Sequence, residues 1–355
     1  MRLSITLALF ALALDAHAAP FAHLRRQIVA EVEQRNVPAF AVAVVQGNRI
    51  IWEEGFGDGV TARTPFALAS VSKPITATAL MVLAERGKID LDQPIDHYLG
   101  GVRVVGRDGD PAQATVRRVA SHTAGLPPHH RFFTAGTPDF EQTAARYAMV
   151  VRPPGTAYQY SNLGYRLIER ALETVTGEPL GDVLRREVFA PLGMDDASFP
   201  ADPPYRSDHP GGSDIYASAH DLARFAAFHL GALMPGQQEI LSRRARDLMH
   251  RPHTPRGDDE PHDYGIGWII EENVIGHTGG MPGVRAAIYL MPARKVAVIT
   301  LAACETDLTE RIARQVLARY DRSPRAKHTT PAMGKRSPRR LRGAWSGTVD
   351  VAGAE

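Results

Sequence analysis

The chain has 355 residues, a net charge of +2 and a single cysteine, Cys304. That length can bury a large core, and one cysteine excludes an internal disulfide, so packing must hold the fold. Residues 322–343 carry eight arginines and lysines and no acid, which leaves the rest near −6 and excludes a body that binds nucleic acid by charge.

The chain opens with Arg2, an apolar run "LSITLALFALAL" and small residues "AHA". These are the parts of a secretory signal peptide, cut after Ala18. The run is shorter than the roughly 20 apolar residues a membrane span needs, and no later stretch reaches that length. The expectation is an exported protein, periplasmic or secreted, with no transmembrane segment once residues 1–18 are removed.

Phe40 to Gly57, "FAVAVVQGNRIIWEEGFG", gives two β-rich runs around the turn pair Gly47-Asn48. Helical patterns follow: "SKPITATALMVLAERG" ending at Gly87, "NLGYRLIERALETVTG" ending at Gly177, "PLGDVLRREVFAPLG" and "SAHDLARFAAFHLGAL". Three more β-rich runs, "YGIGWIIEE", "VRAAIYLMP" and "KVAVITLAA", lie between Tyr264 and Ala303 with short connections, which favour antiparallel neighbours. A last helix, "ETDLTERIARQVLARY", carries Leu308, Ile312 and Val316 on one stripe. Strands at both ends with helices between them predict one sheet built from both ends of the chain. Cys304 follows an apolar run and reads as a buried, inert thiol. Residues 322–343 read as a basic linker, and 344–355 either as the opening strand of a further, truncated β domain or as a frayed tail.

Lysine is scarce here: five residues, against 36 arginines. One of them, Lys73, stands three residues after Ser70 at a predicted helix start, in "FALASVSKPITATAL". Residues three apart share a helix face, and Pro74 is acceptable in a first turn whose N–H groups lack intrahelical partners. A serine hydroxyl is a poor nucleophile until a base removes its proton. Lys73 can be that base if burial lowers its pKa from about 10.4. Taken alone, the pair is a capping serine and a surface lysine. A second segment, "YQYSNLGY", sets Tyr160 and Asn162 before a helix; a phenol can relay a proton and an amide can orient a carbonyl or an amine. The plainer alternative is a core tyrosine and an asparagine helix cap. A third, "GHTGGMPG", brings glycines that allow close backbone approach and an N–H able to join that of Ser70 in an oxyanion hole; the plainer alternative is a glycine-rich turn. His129, His130 and His262 lack the spacing of a zinc site, no H-E-x-x-H or G-x-S-x-G occurs, and His122 reads as a loop former.

The three segments, in this order, resemble the penicillin-recognising serine hydrolases: class C β-lactamases, D-alanyl-D-alanine carboxypeptidases and related esterases. The similarity extends through "RVASHTAGLP", "SAHDLARF" and "YGIGW" and covers about His23 to Tyr320. It implies an α/β (α+β) fold, an antiparallel sheet flanked by helices with an inserted, mainly helical domain. The hydrolase domain is then 19–321, with its sheet part at about 19–75 and 255–321 and its helical part at about 76–254. The resemblance makes Ser70 the acylated nucleophile, Lys73 and Tyr160 the proton-transfer pair, and Asn162 the residue that holds substrate and lysine. His277, Thr278 and Gly279 become substrate-binding, and the N–H groups of Ser70 and Gly280 the oxyanion hole. It implies no cofactor and no metal. The substrate is a small molecule or peptide, with peptidoglycan stems, β-lactams and esters all open, and no nucleic acid is expected. A non-catalytic penicillin-binding sensor or an envelope-binding protein on the same fold is the alternative. One departure stands out: His277 occupies the position of a family lysine, so a fixed charge for a substrate carboxylate is missing there, and Arg285 lies nearby with its direction unknown.

Overall fold

The computed structural model describes residues 19–128, 131–133, 139–200, 206–254 and 262–321. The expected leader, His129, His130, the basic segment and the terminal strand lie outside these residues. The chain divides into two units, 1–320 and 321–355, and the helices and strands of the described residues belong to the first.

Helix α1 (Ala22–Gln34) leads into strands β1 (Phe40–Gln46) and β2 (Arg49–Phe56). Gly47, at φ 61°, adopts the left-handed backbone of their turn, as the Gly-Asn pair predicts. Helix α2 (Ser72–Glu85), α3 (Asn162–Thr176) and α4 (Ala219–His229) follow. The C-terminal part adds β3 (Asp263–Tyr264), β4 (Ile269–Ile270), β5 (Ile275–Met281), β6 (Val284–Met291), β7 (Val296–Ala302) and helix α5 (Leu308–Leu317). The seven strands form one antiparallel sheet in the order β2-β1-β7-β6-β5-β4-β3. The β1–β7 pairing, from Phe40 opposite Ala302 to Gln46 opposite Val296, closes the sheet between the two ends of the chain.

Burial on both faces explains why β1 and β7 are continuous apolar runs rather than alternating ones. Phe40, Val42 and Val44 face one way, into a core completed by Leu24 and Ile28 of α1 and Leu308, Ile312 and Val316 of α5. Ala41, Ala43 and Val45 face the other, into the larger core of α2, α3 and α4. Each fully buried aliphatic side chain of this kind is worth about 1.5–3 kcal/mol over its exposed state. Residues 72–83 of α2 are all buried, so this helix runs through the centre of the helical layer and not along its surface.

Two local outcomes differ from the sequence pattern. The run "YGIGWIIEE" forms only the two short strands β3 and β4, because Gly267, at φ 81°, turns the chain between them. The glycine-rich "IGHTGGM" is itself a seven-residue strand, β5, in register with β6 from Ile275 opposite Leu290 to Met281 opposite Val284. Its glycines are there for close approach: a Cβ on Gly276 would stand 2.5 Å from the Tyr289 ring, and one on Gly279 2.2 Å from the Leu68 carbonyl oxygen.

Candidate active site

Ser70 lies in a short 3-10 turn, Ala69–Val71, that runs straight into α2. Ala69 before it holds φ 47°, a left-handed conformation that costs a non-glycine residue about 1 kcal/mol and is fixed here by burial. The Leu68 N–H bonds the Ile215 carbonyl at 2.9 Å, and β5 packs against the other side of the turn. The nucleophile candidate is therefore clamped from two directions.

Lys73 enters one turn later and is fully buried. Its Nζ lies 3.1 Å from Ser70 Oγ, 2.8 Å from Asn162 Oδ1 and 3.0 Å from the Gly212 carbonyl oxygen. Burial draws its pKa down from 10.5 to about 7. The partners then dictate the orientation of the neutral amine. Asn162 Oδ1 and the Gly212 carbonyl can only accept, so they take its two hydrogens. Its lone pair is left facing the Ser70 hydroxyl, the geometry of a general base.

Asn162 is available for this because Ser161 caps α3: Ser161 Oγ accepts from the Gly164 N–H at 3.2 Å. The Gly211–Gly212 segment that supplies the third partner is itself anchored. The Gly211 N–H donates to Glu169 Oε2 at 2.8 Å, and the Thr76 hydroxyl donates to the Gly211 carbonyl at 2.6 Å. Burial raises Glu169 to about 7, with Arg166 opposing that rise.

Tyr160 stacks into the same space. Its ring centroid is 4.9 Å from Lys73 Nζ. Burial raises its phenol well above the usual range, and a hydrogen bond with the Ser70 side chain draws it part of the way back. Near neutral pH Tyr160 is thus a phenol, able to pass a proton, while Lys73 is the group poised to take one. Behind Tyr160 stands His122, at φ 60°, with ring centroids 4.3 Å from Tyr160 and 4.6 Å from Tyr264. Its Nδ1 accepts from the Ser161 N–H at 3.1 Å, which ties the His122 loop to the segment that carries Tyr160 and Asn162.

His277 lies beneath the cleft and is 2% exposed. Its Nδ1 is 2.7 Å from the Thr278 carbonyl, which only accepts, so Nδ1 carries the hydrogen. Its Nε2, 3.0 Å from the Tyr264 hydroxyl, is then the acceptor of a neutral ring. Burial lowers its pKa to about 3, with Lys73 as a second cause. His277 therefore brings no cation to the site. Thr278 is partly exposed, and Gly279 is buried against Leu68 and Ala69. Gly280 is exposed and lines a cleft of about 540 Å³ together with Ser70, Tyr160, Asn162, His209 and Arg285. Beyond Gly276, β5 pairs with no strand on its β4 side among the described residues, and Gly280 lines the cleft there.

The sequence did not single out Gly212, Glu169, Tyr264 or His209. None stands in a segment whose spacing carries chemistry, and Gly212 acts through its backbone. His262, weighed as a metal ligand, has its ring centroid 5.9 Å from that of Tyr158.

Gly279 gives the site a direct test. In Gly279→Ala the new Cβ meets a backbone oxygen at 2.2 Å, so β5 must move away from the Ser70 turn. The expected result is destabilisation of about 1–3 kcal/mol and a loss of activity of about 100-fold, because a shift of about 1 Å misaligns a preorganised site. Gly283→Ala, where nothing lies within 4 Å but φ is 73°, should cost only about 1 kcal/mol. Thermal melts and kcat/KM on both variants separate close approach from backbone strain. Equal effects of the two would refute the clamp.

An antiparallel sheet between helical layers, with a serine, a buried lysine and a tyrosine converging at the head of a central helix, is the arrangement of a β-lactamase/transpeptidase-type hydrolase. The chain belongs to the beta-lactamase family, which it matches over residues 24–320. It is 27% identical over 322 residues to the unguisins hydrolase ungD' of Aspergillus campestris, covering 76% of this chain and 59% of that one. It is 23% identical over 302 residues to the D-alanyl-D-alanine-carboxypeptidase/endopeptidase AmpH of Escherichia coli, covering 74% and 78%. Among solved structures, the octameric penicillin-binding protein homologue from Pyrococcus abyssi superposes with a TM-score of 0.71 at 21% identity, over 84% of this chain and 77% of that one. The chain thus spans about three fifths of the length of the unguisins hydrolase. No helix among the described residues is long and apolar enough to cross a membrane.

Proposed function

We propose that this protein is an exported serine hydrolase that works through an acyl-enzyme on peptide or ester carbonyls, in the manner of a carboxypeptidase or esterase. Neutral Lys73 takes the Ser70 proton as Oγ attacks the carbonyl carbon. The Ser70 and Gly280 N–H groups receive the oxyanion. The carbonyl re-forms, and the bond to the leaving group breaks. The leaving group collects the proton from Lys73 by way of the Tyr160 hydroxyl. Water then repeats the sequence on the ester: Lys73 takes its proton as it attacks the carbonyl carbon, and returns a proton to Ser70 Oγ as the ester C–O bond breaks and the acid is released. The observation that carries this reading is a Lys73 amine 3.1 Å from Ser70 Oγ, with its pKa lowered to about 7 by burial. Relatives named a carboxypeptidase/endopeptidase, AmpH, and an esterase, EstB of Burkholderia gladioli, support the same chemistry. Residues 1–18 are the proposed export signal.

The test is covalent. The full chain is incubated with a fluorophosphonate and, separately, with a penicillin, digested and mapped by mass spectrometry. The expected adduct sits on the peptide holding Ser70, and p-nitrophenyl esters are turned over many times per enzyme. An adduct without turnover moves the protein to the sensor reading, and an adduct on any other residue refutes the mechanism.

A further inference from the structure

His122 meets the Tyr160 segment at three points. Its carbonyl accepts from the Gln159 N–H at 2.8 Å, its Nδ1 accepts from the Ser161 N–H at 3.1 Å, and its ring centroid lies 4.3 Å from that of Tyr160. One residue thus pins the backbone on both sides of the phenol. The same loop pins the approach to it. The Thr123 carbonyl accepts from the Gly155 N–H at 2.7 Å, and the Gly125 carbonyl from the Val151 N–H at 2.8 Å. His122 continues that series to the tyrosine itself.

The histidine carries two local faults. A backbone N–H can only donate, so Nδ1 is the acceptor, and Nε2 holds the hydrogen of a ring that burial keeps neutral. That Nε2–H is buried and meets no hydrogen-bond partner among the described residues. It lies amid the rings of Tyr160, Tyr264 and Tyr165, with centroids 4.3, 4.6 and 5.6 Å from that of His122. The backbone holds φ 60°, a left-handed conformation uncommon outside glycine. Orphaned donors and strained backbone persist where the surroundings over-determine them, and they cluster at functional sites. Tyr160 has need of such a holder. Its side-chain hydrogen bond is to Ser70, whose hydroxyl becomes an ester oxygen once the acyl-enzyme forms. The contacts to His122 do not change with acylation.

We propose that His122 is the positioning residue of Tyr160: by holding both flanking amides and one side of the ring, it keeps the phenol hydroxyl within reach of the departing group. The assignment rests on the acyl-enzyme reading above and deepens one step of it, the delivery of the proton to the leaving group. Loss of His122 is then felt most by leaving groups that depart faster with a proton.

Two esters with the same acyl group provide the test, p-nitrophenyl butyrate and phenyl butyrate. Nitrophenolate leaves unaided, while the more basic phenolate leaves faster when protonated. The readout is the ratio of kcat/KM for the nitrophenyl ester to that for the phenyl ester, which a uniform loosening of the site leaves unchanged. His122→Asn keeps a residue type that tolerates left-handed backbone and removes the ring, while His122→Phe keeps a ring and removes the Nδ1 acceptor. Each should raise the ratio roughly fivefold or more, toward the ceiling set by Tyr160→Phe. Added to Tyr160→Phe, His122→Asn should raise it no further, because the histidine acts through the phenol. If neither single variant folds, amide exchange in the wild type decides. The Gln159 and Ser161 N–H groups should exchange as slowly as those of α3, and fast exchange of either refutes the clamp. A ratio that stays at its wild-type value in the single variants, or that climbs again in the double variant, overturns the proposal while the hydrolase reading stands. Absence of turnover of either ester, with no adduct at Ser70, overturns the hydrolase reading and this proposal together.

Discussion

Ser70→Ala is expected to reduce turnover of any accepted ester at least 10⁴-fold while leaving the fold intact. The magnitude follows from what is lost. Without the hydroxyl no covalent intermediate forms, and only the oxyanion donors and substrate binding remain, a residue of catalysis that sits several orders of magnitude below the complete set. The structural cost is small by comparison. Ser70 is half-buried and its Oγ shares one hydrogen bond with Lys73, whose two acceptors, Asn162 Oδ1 and the Gly212 carbonyl, stay in place. A net change of about 1 kcal/mol in stability is the expectation. Parallel measurement of kcat/KM and of the thermal midpoint checks both halves. A variant that keeps more than a hundredth of wild-type activity would remove Ser70 from the mechanism, whatever its stability.

The same contrast between a local signal and its surroundings decides how far the sequence could be read. The S-x-x-K spacing placed Ser70 and Lys73 on one face, and they do meet, although Ser70 sits in a 3-10 turn ahead of the helix rather than within it. The chain-end strands paired as expected, because continuous apolar runs such as Phe40–Gln46 and Val296–Ala302 must be covered on both faces. The protonation of the site was not legible. The lowered pKa of Lys73 depends on total burial, and the direction of its lone pair on a carbonyl 139 residues away, at Gly212, which no side-chain pattern marks. Histidine at 277 was ambiguous for the same reason: burial keeps the ring neutral, and the Thr278 carbonyl and Tyr264 hydroxyl set which nitrogen carries the hydrogen. The glycines of β5 looked like a turn because their role is to admit the Leu68 carbonyl and the Tyr289 ring, neighbours that only the tertiary structure supplies.

Lys73→Met should cost acylation 10²- to 10⁴-fold, the range of a lost general base. It should also erase a particular pH dependence. In the wild type, the active form holds a neutral amine, so kcat/KM rises with pH and levels off above about 7, where Lys73 has lost its proton. Tyr160 does not set that limb, since its phenol stays protonated throughout. Lys73 makes stability rise with pH as well, in the window above that limb. Its folded pKa, about 7, lies below the 10.5 of the free amine. Between those values the unfolded chain binds the extra proton, and the native state gains as pH rises through the window. Methionine keeps the volume of the stem but leaves Asn162 Oδ1 and the Gly212 carbonyl without donors, a cost of about 1–3 kcal/mol each, offset by no longer burying an amine. Activity should therefore fall far more than stability. The check is the rate of Ser70 acylation by a fluorophosphonate from pH 5 to 9, in both proteins. A wild-type limb near 7 that vanishes in Lys73→Met assigns the base. A limb that persists unchanged in the variant gives the first proton to another group, and the amine beside Ser70 would then serve only to hold Asn162 and the Gly212 turn.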